Sequence, residues 1–172
     1  MDSGLWKTVG VGIKKGIILL IVPPLLEYLC LRLLEAGFFL VSGHPTALVS
    51  QVRSQVLLET EHEFSWARQL IWFGMIELVI LGPIAEEAFT RGFLYLAMRE
   101  RWSVKTSMML NALLFAALHF TPYGFIGYFF TGLLLCYFFE RTRSLLVPII
   151  GHMVSNIPPF LVLTGVVPFP GR

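Results

Sequence analysis

Five long apolar runs dominate this chain and restrict the folds that it can adopt. They cover about residues 15–41, 66–98, 105–119, 124–139 and 145–163. Because a helix needs about 20 residues to cross a bilayer, a chain of 172 residues has room for about five or six crossings and little else. The sequence therefore predicts an all-α, multi-pass transmembrane helix bundle with about five spans.

The composition excludes a separate soluble module. Hydrophobic residues make up 56% of the chain and charged residues only 14%, which is far from the balance of a soluble domain. We predict a single membrane domain over residues 1–172, with an N-terminal span and an extracytoplasmic amphipathic loop in 1–65 and a helical core in 66–164. Cys30 and Cys136 lie inside apolar runs without CxxC or metal-ligand spacing, so we interpret both as packing residues.

The first span carries residues that are unusual in a membrane helix. Pro23 and Pro24 predict either a kink or a break into two pieces. Arg32 and Glu35 are three residues apart and can pair on one helix face. Glu27 has no such local partner, so it is expected to reach another helix or to line a wet cavity. The N-terminus lacks a clear cleavage site, so we expect the span to be retained and not removed as a signal peptide.

The segment between the first two spans is polar and is predicted to lie at the membrane surface. Apolar residues recur there at helical spacing, which indicates a short amphipathic helix: Leu48, Val49, Val52 and Val56. We interpret His44 and His62 as solvated histidines, and Ser65 as the N-cap of the second span. That span is longer than one crossing needs, so we expect it to be tilted, kinked at Pro83 or extended beyond the lipid.

The distribution of charge between the spans predicts the orientation. Most of the 13 Lys and Arg residues fall on one side of a five-span arrangement. The other side carries a cluster of three glutamates, Glu59, Glu61 and Glu63. The positive-inside rule then places the N-terminus in the cytoplasm and the C-terminus outside. From the small size of the chain we infer a multi-pass protein of a prokaryotic cell membrane.

Three charged residues occur within six positions of the second apolar run: Glu86, Glu87 and Arg91. Ionised side chains are costly in lipid, which makes each of them a functional candidate. Glu87 and Arg91 are four residues apart with the acid first, the favourable order for an ion pair on one helix face. Glu86 points away from both and is free to face something else. Polar contact between helices is the simpler alternative.

Two further polar pairs occur in the later spans. Phe115 and His119 are four residues apart and share a helix face, as do His152 and Asn156. At about 1.5 Å per helical residue, Glu86 and His119 lie about 20 and 21 Å from the basic edge of the bundle. His152 and Asn156 lie about 14 and 20 Å from the same edge. Each pair alone fits a hydrogen bond to a neighbouring helix, but similar depth on three helices predicts a shared wet pocket.

The chemistry of that pocket follows from its residue types. A carboxylate, two imidazoles and an amide in a low dielectric are suited to activating water and stabilising an oxyanion. The three motifs, in this order, resemble the CPBP family, which comprises the CAAX-protease and bacteriocin-processing (Abi) intramembrane endopeptidases related to the Ras-converting prenyl protease. The family signature EExxxR, FxxxH and HxxxN corresponds here to residues 86–91, 115–119 and 152–156, and the resemblance covers about residues 71–160.

The resemblance implies hydrolysis of a peptide bond inside or at the membrane. By family analogy, Glu86 helped by His119 holds and deprotonates the attacking water, while His152 and Asn156 stabilise the tetrahedral oxyanion. The supporting residues are then Glu87, Arg91 and Phe115. One position departs from the family pattern, because the residue before the arginine is usually aromatic and here is Thr90. We expect this change to affect pocket shape or substrate preference without removing a catalytic group.

The cofactor and the partners are expected as follows. The sequence has no HExxH, and an amide oxygen is an uncommon zinc ligand, so a metal-free, glutamate-based mechanism is favoured. The alternative is a zinc site with Glu86, His119 and His152 as ligands. The implied partners are the lipid bilayer and a membrane-anchored protein or peptide substrate, with no nucleic acid.

Two other classes of function compete with the protease. The same helices could serve a non-catalytic immunity or partner-binding protein of the family, which binds a membrane peptide without cleaving it. The other is an ion or proton transporter that uses Glu27, Glu77 and Glu86. It is less favoured, because Glu77 and Glu86 lie about 180° apart on an unbroken helix.

Overall fold

The computed structural model describes residues 3–45, 47, 50–51, 54–55, 58, 71–122 and 124–163. Over this part of the chain, every regular element is helical and there is no strand. The five main helices are α1 (Ser3–Ser42), α2 (71–99), α3 (Val104–Leu118), α4 (Phe125–Thr142) and α5 (Leu146–Leu163). The prediction of an all-α fold with five helices is therefore confirmed.

Length and composition identify one clear membrane span among the described helices. This is Gly4–Ser42 in α1, and two further helices, Val104–Leu118 and Leu146–Leu161, are apolar but shorter. That all five helices cross the bilayer therefore stays a prediction. The polar segment predicted to form a surface helix lies largely outside the described residues. The predicted residues that fall outside them are Leu48, Val49, Val52, Val56, Glu59, Glu61, His62, Glu63 and Ser65. His44 is described and is exposed, as expected.

Helix α1 is longer than the sequence predicts. It begins at Ser3, not near Lys15, and it continues through Pro23 and Pro24 to Ser42, so the predicted start and the alternative of two separate pieces are wrong. A proline removes one backbone hydrogen bond, and packing against neighbouring helices compensates for such a loss in membrane helices. Pro23 is fully buried against the bundle, which is consistent with that compensation.

Helix α2 contains two π-helical segments along its length. Its consecutive segments are α-helical Ile71–Met75, π-helical Ile76–Leu81, α-helical Gly82–Glu87, π-helical Ala88–Tyr95 and α-helical Leu96–Arg99. The first wide turn accommodates Pro83: the Gly82 amide bonds the carbonyl of Glu77, five residues back, in place of a regular α-helical bond. The predicted irregularity at Pro83 therefore takes the form of a π-helical turn before it. The second wide segment carries part of the charged motif, and such segments are frequent at functional sites.

Two glycines bring α1 into close contact with α5. A Cβ added at Gly12 would lie 2.6 Å from Cβ of Ile150, and one added at Gly16 would lie 2.8 Å from the carbonyl oxygen of Gly151. The contact at Gly16 lies closer to the C-terminus of both helices than the contact at Gly12, so α1 and α5 run parallel. The sequence Gly12-Ile-Lys-Lys-Gly16 is a GxxxG motif, which permits close approach of membrane helices through small residues. This motif therefore positions α5, the helix that carries His152 and Asn156.

Three charged residues of α1, Glu27, Arg32 and Glu35, contact identifiable partners. Arg32 Nη1 donates to Glu35 Oε2 at 2.6 Å, so the predicted local pair is confirmed. The carboxylate of Glu27 lies against Gly127 in the first turn of α4, where an added Cβ would be 2.8 Å from Glu27 Oε2. Amides in the first turn of a helix lack an intrahelical partner, so a carboxylate from another helix stabilises them. Of the two alternatives predicted for Glu27, the structure therefore supports contact with another helix.

Candidate active site

Glu87 lies at the centre of a buried charged cluster. Its Oε1 accepts hydrogen bonds from Arg91 Nη1 at 3.0 Å and from His152 Nδ1 at 3.0 Å. The side chains of Glu87 and Arg91 are fully buried, so the predicted pair on one helix face is confirmed. Because Nδ1 of His152 faces a carboxylate oxygen, that nitrogen carries the proton and Nε2 is the atom left for chemistry. The structure thus brings together Glu87 and His152, which the sequence reasoning had assigned to separate roles.

Arg91 joins α2 to two other helices. Its Nη2 donates to the carbonyl oxygen of Gly132 in α4 at 3.1 Å, and its guanidinium lies over the Phe115 ring of α3, 4.5 Å from the ring centroid. A planar guanidinium can donate in several directions while one face stacks on an aromatic ring. Arg91 therefore holds Glu87 in place and locks α2 against α3 and α4.

Thr90 connects the charged pair to the backbone beside Glu86. Its hydroxyl accepts a bond from Arg91 Nη1 at 2.6 Å and donates to the carbonyl oxygen of Glu86 at 2.5 Å. The carbonyl oxygen of Thr90 in turn accepts from Asn111 Nδ2 at 2.8 Å, and Cys136 Sγ donates to Asn111 Oδ1 at 3.1 Å. Thr90, the position that departs from the family pattern, is therefore a buried polar link between α2, α3 and α4.

Glu86 differs from its neighbour in its surroundings. It is partly exposed, and its Oε2 is buried without a hydrogen-bond partner among the described residues. Glu87 also has one such oxygen, Oε2, but its Oε1 is already hydrogen-bonded to Arg91 and His152. Buried polar atoms are rarely left unpaired unless a functional group occupies the site during activity. Glu86 is therefore the carboxylate of this pair that is available to act on another molecule.

His119 follows directly after α3 and is held by its neighbours. Its Nδ1 donates to the carbonyl oxygen of Phe115 at 2.7 Å, which leaves Nε2 as the acceptor of the neutral ring. The Phe115 ring lies 4.6 Å from the His119 ring and 5.9 Å from the His152 ring, between centroids. Glu86 and His152 are both close enough to act electrostatically on His119. Glu86, His119 and His152, which come from three helices, therefore lie in one region.

Asn156 lies one turn beyond His152 on α5. Its Nδ2 donates to the carbonyl oxygen of Leu78, in the first π-helical segment of α2, at 3.0 Å. A side-chain amide has two N–H donors, so one remains for another acceptor. The bond orients the amide, and it also fixes the distance between α5 and α2 on this side of the site.

The predicted zinc alternative has a limited geometric basis. Across the described ranges, no three His, Cys, Asp or Glu side chains form a group that could hold a metal ion. Glu86, His119 and His152 are near one another but are not arranged as such a group. Both imidazoles do have Nδ1 bonded to an oxygen, the orientation that also occurs in metal-ligating histidines.

Comparison with known proteins decides the family. The sequence model of the family described as type II CAAX prenyl endopeptidase Rce1-like matches residues 68–158, just over half of the 172-residue chain. The chain belongs to this Rce1-like family. Neither the curated proteins nor the solved structures contain a significant match.

Membership of the Rce1-like family confirms the resemblance that the motifs indicated. The matched region contains all three motifs and ends two residues after Asn156. At the level of the family, membership implies a membrane-embedded endopeptidase of the CAAX-protease type. The first span, which carries the GxxxG motif and Glu27, lies before the matched region.

Several residues that shape the site were not identified from the sequence. Gly12 and Gly16 form a recognisable motif whose spacing was a usable signal. Asn111 and Tyr128 carried no such signal, because their importance comes from contacts between helices. Tyr128 in α4 stacks on the His119 ring with 3.8 Å between ring centroids.

Proposed function

We propose that this protein is an intramembrane endopeptidase that hydrolyses a peptide bond in a membrane-anchored protein or peptide by glutamate-activated water. The observation that carries the proposal is that a carboxylate with an unpartnered buried oxygen, Glu86, lies in the same region as an oriented imidazole, His119. Family membership supports this reaction class, and the family description favours a substrate with a prenylated C-terminus. The partners are then the lipid bilayer and the substrate, and no nucleic acid takes part.

In the first step, Glu86 and Nε2 of His119 hold a water molecule, and Glu86 accepts its proton as the oxygen attacks the carbonyl carbon of the scissile bond. A general base contributes about 10²–10⁴-fold to such a step. In the second step, the C–N bond breaks and Glu86 passes the proton to the leaving amine nitrogen. The other water proton stays on the new carboxyl group, which then ionises and leaves the amine protonated, so the products are a carboxylate and an ammonium group and atoms and protons balance.

His152 and Asn156 stabilise the negative charge that develops on the carbonyl oxygen. The free N–H of the Asn156 amide donates directly, and Nε2 of His152 donates when the ring is protonated. Glu87 orients the His152 ring because its carboxylate bonds Nδ1, as a buried acid does for the imidazole of a catalytic triad. Glu87 therefore acts through His152 as well as pairing with Arg91, which extends the structural role first assigned to it.

We place no metal in these steps, because the sequence has no HExxH and an amide oxygen is an uncommon zinc ligand. Purification without chelator followed by metal analysis tests this point. We expect full activity after prolonged treatment with a chelator and no stoichiometric zinc. Zinc bound at one ion per chain, with activity lost on its removal and restored by its return, would overturn the metal-free mechanism in favour of ligation by Glu86, His119 and His152.

The test of the reaction compares purified variants on a fluorogenic, farnesylated peptide that ends in a CAAX tetrapeptide and on its unprenylated counterpart. We expect Glu86→Gln and His119→Ala each to lose about 10²-fold or more in turnover. Glu77→Gln is the matched control, because it makes the same change at an exposed position of the same helix. Undiminished turnover in both active-site variants would rule out the mechanism. If Glu86→Gln still gave cells immunity, or still bound its partner, a binding protein without protease activity would be favoured instead.

We also propose that the helices cross the membrane with the N-terminus in the cytoplasm and the C-terminus outside. The basic residues between the predicted spans support this orientation. Labelling of single cysteines with an impermeant reagent, in a variant that lacks Cys30 and Cys136, tests it at the two ends of the chain.

A further inference from the structure

The His119 ring lies between two aromatic rings, and only one of them belongs to the family motif. Phe115 contacts it from the same chain segment at an interplanar angle of 57°, whereas Tyr128 stacks on it almost in parallel, at 24° and 3.8 Å between centroids. Such ring contacts contribute beyond simple burial and favour a definite relative orientation. The hydrogen bond from Nδ1 to the Phe115 carbonyl fixes one edge of the His119 ring. The stacked ring of Tyr128 then restricts rotation of the ring plane about that hydrogen bond.

Tyr128 is placed by the first turn of α4. The backbone amide of Tyr128 bonds the carbonyl oxygen of Gly124 at 3.0 Å, and the ring lies over that glycine. A Cβ added at Gly124 would come within 2.9 Å of Tyr128 Cε2, so the ring occupies the space that a side chain would fill. The position of the ring against His119 therefore depends on where the start of α4 lies.

Glu27 of α1 binds that same turn. Its Oε2 lies so close to Gly127, one residue before Tyr128, that a Cβ there would be 2.8 Å away. The negative charge also faces the positive end of the α4 dipole. A partly buried carboxylate in a membrane helix is costly, so its presence next to this turn calls for a role.

We propose that Tyr128 and Glu27 are positioning residues of the active site, with Tyr128 fixing the plane of the His119 ring and Glu27 fixing the helix end that carries Tyr128. Neither residue belongs to the three motifs, and Glu27 lies outside the region matched by the family. The inference rests on the proposed function only in taking His119 to be the partner of Glu86. The arrangement extends the site from three helices to include α4 and α1.

The first experiment measures the accessibility of His119 without any substrate. Diethyl pyrocarbonate modifies neutral imidazole, and peptide mass spectrometry gives a separate rate for each histidine. In Tyr128→Leu we expect His119 to react several-fold faster than in wild type, with His152 unchanged. Tyr128→Phe keeps the stacked ring and is expected to restore the wild-type rate. Tyr137→Leu, which removes a partly exposed tyrosine from the same helix, is the matched control.

Equal reaction rates for His119 in Tyr128→Leu and wild type would overturn the proposal. So would an equal increase at His119 and His152, because that result would indicate general loosening of the bundle. Since the modification does not depend on turnover, the positioning claim is decided even if Glu86→Gln and His119→Ala prove fully active and the proposed function fails.

The second experiment follows the kinetics of the same farnesylated peptide. Misplacing a catalytic group by up to about 1 Å lowers activity over a range that reaches about 10²-fold. We expect Tyr128→Leu and Glu27→Ala to lower kcat in that range with KM unchanged. Glu27→Gln is expected to lose less, because its side chain keeps the same shape against Gly127 and gives up only the charge. A fall in kcat for Glu27→Ala without faster modification of His119, or a rise in KM alone, would contradict the proposal for Glu27.

Discussion

Replacement of Gly16 by alanine tests whether the contact between α1 and α5 sets the position of α5, the helix that carries His152 and Asn156. A Cβ at Gly16 would lie 2.8 Å from the carbonyl oxygen of Gly151 and 2.7 Å from Cγ1 of Val154. The oxygen belongs to the backbone, so no change of side-chain rotamer relieves the first contact. The two helices must therefore separate locally.

The size of the separation follows from the same distances. Moving the oxygen from 2.8 Å to the 3.4 Å of ordinary contact requires about 0.6 Å, and Cβ of Val154, which lies closer still and is fixed to the backbone, requires more. A gap of 0.5–1 Å forfeits about a quarter to a half of the dispersion energy of each contact. Overpacking of this kind costs about 1–3 kcal/mol. Because His152 immediately follows Gly151, we also expect turnover to fall, and misplacement by about 1 Å can cost up to about 10²-fold.

The assay is unfolding of the purified protein by SDS in mixed micelles, followed by far-UV circular dichroism, together with turnover of the farnesylated peptide. Gly10→Ala is the matched control, because nothing lies within 4 Å of a Cβ at that position of the same helix. We expect the control to unfold like wild type. The double variant Gly12→Ala/Gly16→Ala should lose less than the two single losses combined, since one separation of the helices relieves both contacts.

Two outcomes would refute this reasoning. If Gly16→Ala unfolds at the same SDS concentration as Gly10→Ala, the close approach of α1 and α5 does not limit the stability of the bundle. If the two single losses are fully additive, each glycine acts locally and α5 does not move as a unit. In either case the GxxxG motif would not be what positions His152.

Two further predictions concern the buried cluster, and both are measured by the same unfolding assay. Thr90→Val keeps the shape of the side chain but removes the hydroxyl that joins Arg91 to the Glu86 carbonyl, so we expect a loss of about 1–3 kcal/mol. Thr90→Ser should restore most of it, and equal stability of the Val and Ser variants would contradict a role for the hydroxyl. Arg91→Met leaves Glu87 buried without its cation and should cost about 3–5 kcal/mol. The stability of Arg91→Lys should fall between those of Arg91→Met and wild type, because an ammonium keeps the charge but not the planar geometry. A Lys variant as stable as wild type would show that charge alone suffices.

Part of the fold was predictable because it depends on residues close together in the chain. The apolar runs predicted five helices, and α3, α4 and α5 begin and end within three residues of the predicted bounds. The pairs Glu87–Arg91 and Arg32–Glu35 were predictable for the same reason, since residues three or four apart on one helix must be neighbours. The motif spacing likewise indicated the family before any comparison.

Other features required the tertiary structure. The extent of α1 depends on packing around Pro23, and the π-helical turns of α2 depend on how it accommodates Pro83, so neither follows from propensity. The bond between His152 and Glu87 joins residues 65 positions apart. The roles proposed for Tyr128 and Glu27 also rest on contacts between different helices.

The sequence of this protein thus determined which segments become helices, which charged neighbours pair, and which four polar groups were candidates for chemistry. It did so because helical periodicity converts spacing along the chain into proximity within one or two turns. The tertiary structure decided which of those groups meet across helices, and that Glu87 bonds both Arg91 and His152. The rotation and register of one helix against another depend on the summed packing of many side chains, which no short stretch of sequence encodes.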